Sequence, residues 1–353
     1  MPSVTPTTSS AGPPLPMYYE ETEPQWLFTQ DELNRSTPSR VEGMSYDTEI
    51  INRRKGINFI IQVGILLKLD QITLATASIY FQRFYMRHPL QIPNTTKGAH
   101  HYQVAATAVY VAYKSKENPR KMHELIVAVS RVAQKDPNLM IDEQSKEFWK
   151  WRETIQHHEN LMLEVLCFDL DPGLPYPILY EFLKTYSVQD NKKLRNISWA
   201  VVTDSFTTIL CLLVQPQSIA GGALHLGLKH SGVKLPDDEY GRPWWEALGL
   251  NVDEMSTVLE VILSTYENPG MPRQAPGEAY VRDVDTMVFE HTRMPTPGGS
   301  IGDGDGEHVS ERGAAAEANG NAGNAAPGEV DGDKIMEDAR SNGRSGSEEG
   351  ELG

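Results

Sequence analysis

The stretch Val104–Lys121 reads VAATAVYVAYKSKENPRK and joins an uncharged helix to a charged turn. From Val104 to Tyr113 no side chain carries a charge and only Thr107 breaks the apolar run. A helix without a polar face must be enclosed by other protein, so this one belongs inside a helical bundle. Ala105, Ala106, Ala108 and Ala112 are small enough to let neighbouring helices approach closely. Lys114, Lys116 and Glu117 then arrive together, followed by Asn118-Pro119. Proline disfavours the helical conformation of the residue before it, so the helix stops there and its terminal charges point at something.

Working back from this helix, apolar residues recur with helical spacing between Tyr46 and Leu69 and again from Ile72 to Met86. Ahead of them, Trp26, Leu27 and Phe28 form a small apolar anchor, and Thr29-Gln30-Asp31-Glu32 reads as an N-cap followed by acids in the first turn of a short helix. Working forward, a fourth helix runs from Lys121 to about Ala133 and a fifth from Ser145 to Leu166, broken by Cys167-Phe168-Asp169-Leu170-Asp171-Pro172-Gly173. The theme then restarts. Helices are expected at Pro177–Tyr186, Lys192–Leu213, Ile219–Lys229 and Val252–Tyr266, with a Gly241–Trp245 turn between the last two. Sustained β-branched alternation is absent, so the fold class is all-α. The segment IAGGALHLGLK repeats the small-residue character of Val104–Tyr113 in the same third place, which suggests two five-helix bundles made by duplication.

Charge divides the chain differently. Residues 271–353 hold seven Lys and Arg against seventeen Asp and Glu, a net of −10 out of the chain's −16, which leaves −6 for the rest. With few apolar residues and no hydrophobic period, 269–353 is expected to be a disordered acidic tail, and the Pro, Ser and Thr-rich residues 1–22 a disordered N-terminus. Within that tail, Thr296-Pro297 and the apolar run Tyr280–Phe289 read either as a phosphosite and a docking motif or as plain linker. A mildly acidic folded part lacks the clustered cations of strong nucleic-acid binding. Cys167 and Cys211 sit in apolar helical pattern and predict a reducing, intracellular setting. No leader pattern and no uncharged run of roughly 18 residues predicts a membrane span.

No catalytic constellation emerges. His157-His158 and His100-His101 are adjacent pairs whose members face different sides of a helix, and no His-Glu-x-x-His spacing exists, so neither a metal nor another cofactor is expected. Asp303–Glu307 has its Gly and Glu misplaced for a calcium loop. On spacing alone Lys114 is a cation at a helix C-terminus, Glu159 a solvated helix residue, and Tyr110 and Phe168 core aromatics.

The order of the motifs supplies more. Trp26-Leu27-Phe28-Thr29, Thr37-Pro38-Ser39-Arg40-Val41-Glu42-Gly43, Leu74-Ala75-Thr76, Tyr80-Phe81-Gln82-Arg83-Phe84-Tyr85-Met86, Lys114–Lys121, Glu159–Leu170 and Trp244-Trp245-Glu246 follow one another as in the tandem cyclin boxes of the cyclin K and cyclin T type. The chain resembles that family over residues 23–267. The resemblance implies a short N-terminal helix plus first cyclin box at 23–170, a second box at 171–268, and a non-catalytic regulatory role. By it, the chain would bind and activate a transcription-type cyclin-dependent kinase in the nucleus and act indirectly on the RNA polymerase II C-terminal domain. Cyclins act by favouring the kinase state whose αC helix is turned inward, where the kinase's own Lys–Glu pair can form.

In the family a Lys ending the third helix and a Glu in the fifth are neighbours at the kinase contact. Motif matching places these at Lys114 and Glu159, with Tyr110, Glu117 and Phe168 around them. Three departures stand out. Lys116 reverses a charge usual for the family, at the rim of the expected interface, where charge tunes partner choice. The segment Asn52-Arg53-Arg54-Lys55-Gly56 replaces the apolar patch by which cell-cycle cyclins dock substrates, and Asn268–Arg273 lacks the basic RNA-contacting segment of cyclin T. The alternative is an initiation factor B-like paired helical domain binding DNA, which needs a basic recognition stripe and a zinc ribbon that this sequence does not display.

Overall fold

The protein is described from a computed structural model that covers Thr22 and residues 24–92, 97–267 and 284–289. Among these residues thirteen α-helices follow in order: α1 (Gln30–Arg35), α2 (Pro38–Val41), α3 (Tyr46–Leu67), α4 (Gln71–Phe84), α5 (His101–Ser115), α6 (Met122–Gln134), α7 (Lys146–Val165), α8 (Pro175–Thr185), α9 (Lys192–Ser205), α10 (Leu210–Leu213), α11 (Pro216–Ser231), α12 (Trp244–Ala247) and α13 (Val252–Glu267). Among the described residues there is no β-strand, only an isolated bridge between Leu90 and Ala99.

Side-chain caps set the helix starts. Thr29 and Glu32 form a reciprocal capping box at α1, and Thr37, Ser45, Asp70, Ser145 and Asn191 each accept a hydrogen bond from a first-turn backbone N–H. Each satisfies a donor that the helix cannot pair internally.

Helices α3–α7 surround one core and α8–α13 a second. In the first, α5 packs against α3, α4 and α7, and every residue from Val104 to Tyr113 except Tyr110 is buried. In the second, α11 takes the same central place against α8, α9 and α13. Its small residues explain the close approach. A Cβ on Gly227 would lie 2.0 Å from Ser198 Oγ and 2.9 Å from Leu194 Cδ1, so only hydrogen fits between α11 and α9.

One sequence expectation needs correcting. The run Lys192–Leu213 is not one helix, since it breaks between α9 and α10. The hydroxyls of Ser205, Thr207 and Thr208 bond back to the carbonyls of Val202, Asp204 and Ser205 at 2.6, 2.7 and 2.6 Å, giving the backbone an alternative to continued helix. Within the segments expected to be disordered, Thr22 and residues 284–289 are described and packed. Thr22 is buried and matches both its backbone groups to the Gln215 amide, and residues 284–289 lie against the second core. The rest of 1–22 and of 269–353, including Thr296-Pro297, falls outside the described residues.

The two bundles share α4, whose Ala75 and Ile79 belong to the second core while Leu74, Ala77 and Tyr80 belong to the first. A buried polar chain crosses the same junction. Thr37 Oγ1 donates to Glu49, Glu49 is paired with Arg53 at 2.8 Å, Arg53 donates to Gln82 Oε1 at 2.9 Å, and Gln82 Nε2 donates to the Thr208 carbonyl at 3.2 Å. Every Arg53 guanidinium nitrogen has an acceptor, which is the condition for burying such a charge. Asn52–Gly56 therefore lies within α3, and its Arg53 is directed inward.

Candidate functional site: the open end of the first bundle

The charged turn after α5 comes together with the C-terminal half of α7. Lys114 Nζ lies 2.5 Å from Glu159 Oε1 and 4.8 Å from the centre of the Tyr110 ring, while Tyr110 packs edge-on against buried Tyr113 at 5.4 Å. The hydrogen bond to Glu159, outweighing partial burial, holds the Lys114 ammonium above its ordinary pKa and keeps it charged. Lys114 remains half exposed, its side chain at 49%, whereas Glu159 is mostly covered at 19%. Tyr110, Lys114 and Glu159 thus form a pre-assembled unit in which a shielded carboxylate orients an accessible ammonium beside an aromatic face.

Glu117 and Phe168 belong to the two turns beside this unit. Lys116 Nζ meets Asp171 Oδ1 at 2.5 Å and ties the turn after α5 to the turn after α7. The Lys116 side chain is only 20% exposed and its ammonium is matched by the Asp171 carboxylate, which itself stands 83% exposed, so the charge that reverses the family pattern is locally paired at the surface. Glu117 is exposed and sits at φ 53°, a left-handed conformation that costs a non-glycine residue about 1 kcal/mol. Asn118 offsets part of that cost by bonding Asp70 at 3.2 Å and Arg120 at 2.7 Å.

Phe168 is not the core aromatic that its residue type suggests. It is 67% exposed and follows Cys167, both with left-handed φ, 54° and 57°. Consecutive left-handed residues persist only where their surroundings hold them. The holding groups come next in the chain. Asp169 Oδ2 accepts from Trp26 Nε1 at 2.7 Å and from Arg83 at 2.8 Å, and the Leu170 carbonyl accepts from the Tyr80 hydroxyl at 2.6 Å. Arg83 in turn stacks on the Trp26 ring at 4.7 Å. Burial works against the Arg83 charge, and the Asp169 carboxylate is the main group that opposes this and retains it.

In the sequence Trp26 reads only as an apolar anchor, and neither Arg83 nor Asp169 attracts a functional reading. The one available signal is an arginine inside the apolar run Tyr80–Met86, since a charge in a buried helix needs a partner elsewhere. Among the described residues no group of three or more His, Cys, Asp or Glu side chains could hold a metal ion, and no helix is long and apolar enough to cross a membrane.

Comparison with known proteins agrees with this architecture. The family model "Cyclin, N-terminal domain" matches residues 24–171, which contain α1–α7 and the whole Tyr110–Lys114–Glu159 unit. Cyclin pch1 of Schizosaccharomyces pombe is 40% identical over 275 residues, which cover 78% of this chain and 76% of that protein. The chain belongs to the cyclin family. This cyclin is also 31% identical to human Cyclin-K over 268 residues and 31% identical to Cyclin-T1-5 of Arabidopsis thaliana over 255. It spans 44% and 43% of those two, which are longer proteins. Its fold matches a chain in the crystal structure of the yeast RNA Pol II CTD kinase CTDK-1 complex, with a TM-score of 0.58 at 15% identity, over 75% of this chain and 81% of that one.

Proposed function

We propose that this cyclin is the non-catalytic regulatory subunit of a transcription-type cyclin-dependent kinase, and that the open end of its first bundle is the kinase-binding surface. The boxes are assigned to residues 23–170 and 171–268, and the site of action to the nucleus. The observation that carries the reading is the Lys114–Glu159 pair, pre-formed on the surface of a chain whose relatives are cyclins of the pch1, K and T types. An accessible ammonium fixed by a shielded carboxylate suits recognition of backbone carbonyls on a partner helix, because its orienting entropy is already lost before binding. Phe168, presented by a strained and anchored turn, supplies an exposed aromatic beside it, of the type that dominates interface energetics.

By this reading the Lys116–Asp171 pair sets the geometry between the two turns, and partner choice falls to Glu117 and Phe168. The kinase substrate is the RNA polymerase II C-terminal repeat, by analogy with the matched yeast complex, which is an RNA Pol II CTD kinase.

The test is reconstitution with candidate transcriptional kinases and an assay on a C-terminal-repeat peptide. Wild-type cyclin is expected to co-purify with one kinase and raise its activity, while Lys114→Glu with Glu159→Ala loses both effects and keeps its helical circular dichroism. A folded double variant that still binds and activates fully would overturn the assignment.

A further inference from the structure

The second bundle carries a groove with no counterpart in the cyclin reading above. Its wall is built by α11 and α12. His225, 3% exposed and central on α11, faces Trp244 with ring centres 6.4 Å apart, and Trp244 meets Trp245 edge-on at 5.5 Å. Into this aromatic corner comes the segment Val284–Met287, a single 3-10 turn, followed by Val288 and Phe289. His225 Nε2 lies 2.8 Å from the Thr286 carbonyl, and since a carbonyl can only accept, that nitrogen carries the proton. Phe289 packs over His225 at 4.5 Å and against Trp245 at 5.4 Å, Met287 joins the second core, and Thr286 is buried.

We infer that this groove is a peptide-docking site whose occupant is the chain's own segment 284–289, held in cis as a detachable ligand. Three observations support the assignment. The recognition is of peptide type, with one backbone carbonyl fixed by a buried donor and one aromatic side chain received in an aromatic corner. The groove continues past the segment as an open cleft of about 140 Å³ bounded by Leu228, Leu235, Lys229 and Lys234. By sequence, Asp283, Asp285 and Glu290 against the single Arg282 make the segment and its flanks acidic, and the cleft carries Lys229 and Lys234, so the two are complementary in charge. A contact made by six residues also returns little beyond the entropy of ordering them, which keeps docking reversible.

The consequence is that the chain's own segment 284–289 is fastened to the second bundle, while the Lys114–Glu159 surface belongs to the first. A partner with a short acidic-aromatic segment of the same chemistry would have to displace residues 284–289 to occupy the groove.

Competition within the full-length protein tests this. A fluorescein-labelled peptide of residues 280–291 is titrated into the wild-type chain and into Met287→Ala with Phe289→Ala, a change that removes the two side chains by which the cis segment packs on the second bundle and leaves the groove's own residues in place. The account expects binding to the double variant at least tenfold tighter than to wild type, where the cis segment occupies the groove. A labelled peptide carrying the Phe289→Ala change should not bind, and hydrogen exchange in residues 222–245 should rise in the double variant. Equal affinity for the two proteins, or no binding to the double variant with unchanged exchange, would overturn the inference.

Discussion

The ends of α5 and α11 invite comparison, because these central helices occupy the same place in their bundles and terminate differently. α5 ends in Lys114, Ser115 and a turn stapled outward by ion pairs to Glu159 and Asp171. α11 ends in Lys229, His230 and a left-handed Gly232 at φ 72°, and the aromatic corner beside it is covered by residues 284–289. One helix end is open and charged, while the other side of the pseudo-repeat is apolar and occupied. The cores differ in the same sense. The first bundle buries ion pairs at Arg53–Glu49 and Arg83–Asp169, whereas the second relies on glycine-mediated contact of α11 with α9 and α13. A duplicated scaffold thus fixes where helix ends fall, and the side chains at those ends decide what each can bind.

The largest way to break the comparison lies in the buried charge. Arg53→Met leaves Glu49, 2% exposed, without its cation and should cost about 3–5 kcal/mol in urea unfolding. The second bundle should answer to volume instead. Gly227→Ala forces a methyl toward Ser198 and Leu194 and should cost about 1–3 kcal/mol, with Gly227→Ala combined with Ser198→Gly recovering part of it. A smaller effect is expected from Trp26→Phe, which removes the indole donor to Asp169. It should lower stability by about 1 kcal/mol and also weaken kinase binding through a less firmly held Phe168, as measured by calorimetry on the pair of proteins.

The comparison is sharpened by a pH dependence that the first bundle contributes. Burial, with His100 and Lys55 adding to it, holds the His101 imidazole down at about 4 from its ordinary 6.5. Between these values the unfolded chain binds the proton and the folded chain does not, so this contribution is complete above about 6.5 and is lost as pH falls toward 4. The melting temperature should therefore drop from pH 7.5 to pH 5, and His101→Phe should flatten that drop.

Much of this was legible in the sequence for a physical reason. Uncharged periodic runs such as Val104–Tyr113 have no alternative to burial, so the central helices declared themselves, and where the run stops Lys114 reads as a helix-terminal cation, its place in a site coming only from family resemblance. Glu159 likewise was legible only through family resemblance, since a carboxylate on the polar face of α7 carries no sign of its partner 45 residues earlier. The hydroxyl-driven break at Phe206–Ile209 hid inside an apolar pattern, and the left-handed turn that exposes Phe168 depends on Arg83, 86 residues away from Asp169. The docking of 284–289 stayed open, because the run Tyr280–Phe289 reads as a docking motif or as plain linker and so short a segment has no period to decide between them. Long-range pairing, rather than local propensity, is what the sequence withheld.

The most direct measurement is the dissociation constant of the cognate kinase for three full-length proteins: wild type, Lys114→Glu, and Lys234→Glu as an exposed-cation control on the second bundle. The account predicts at least roughly 30-fold weaker binding for Lys114→Glu, the loss expected of an interface hot spot, and a change within about twofold for Lys234→Glu. Equal affinity of wild type and a folded Lys114→Glu, or a larger loss for Lys234→Glu, would contradict it.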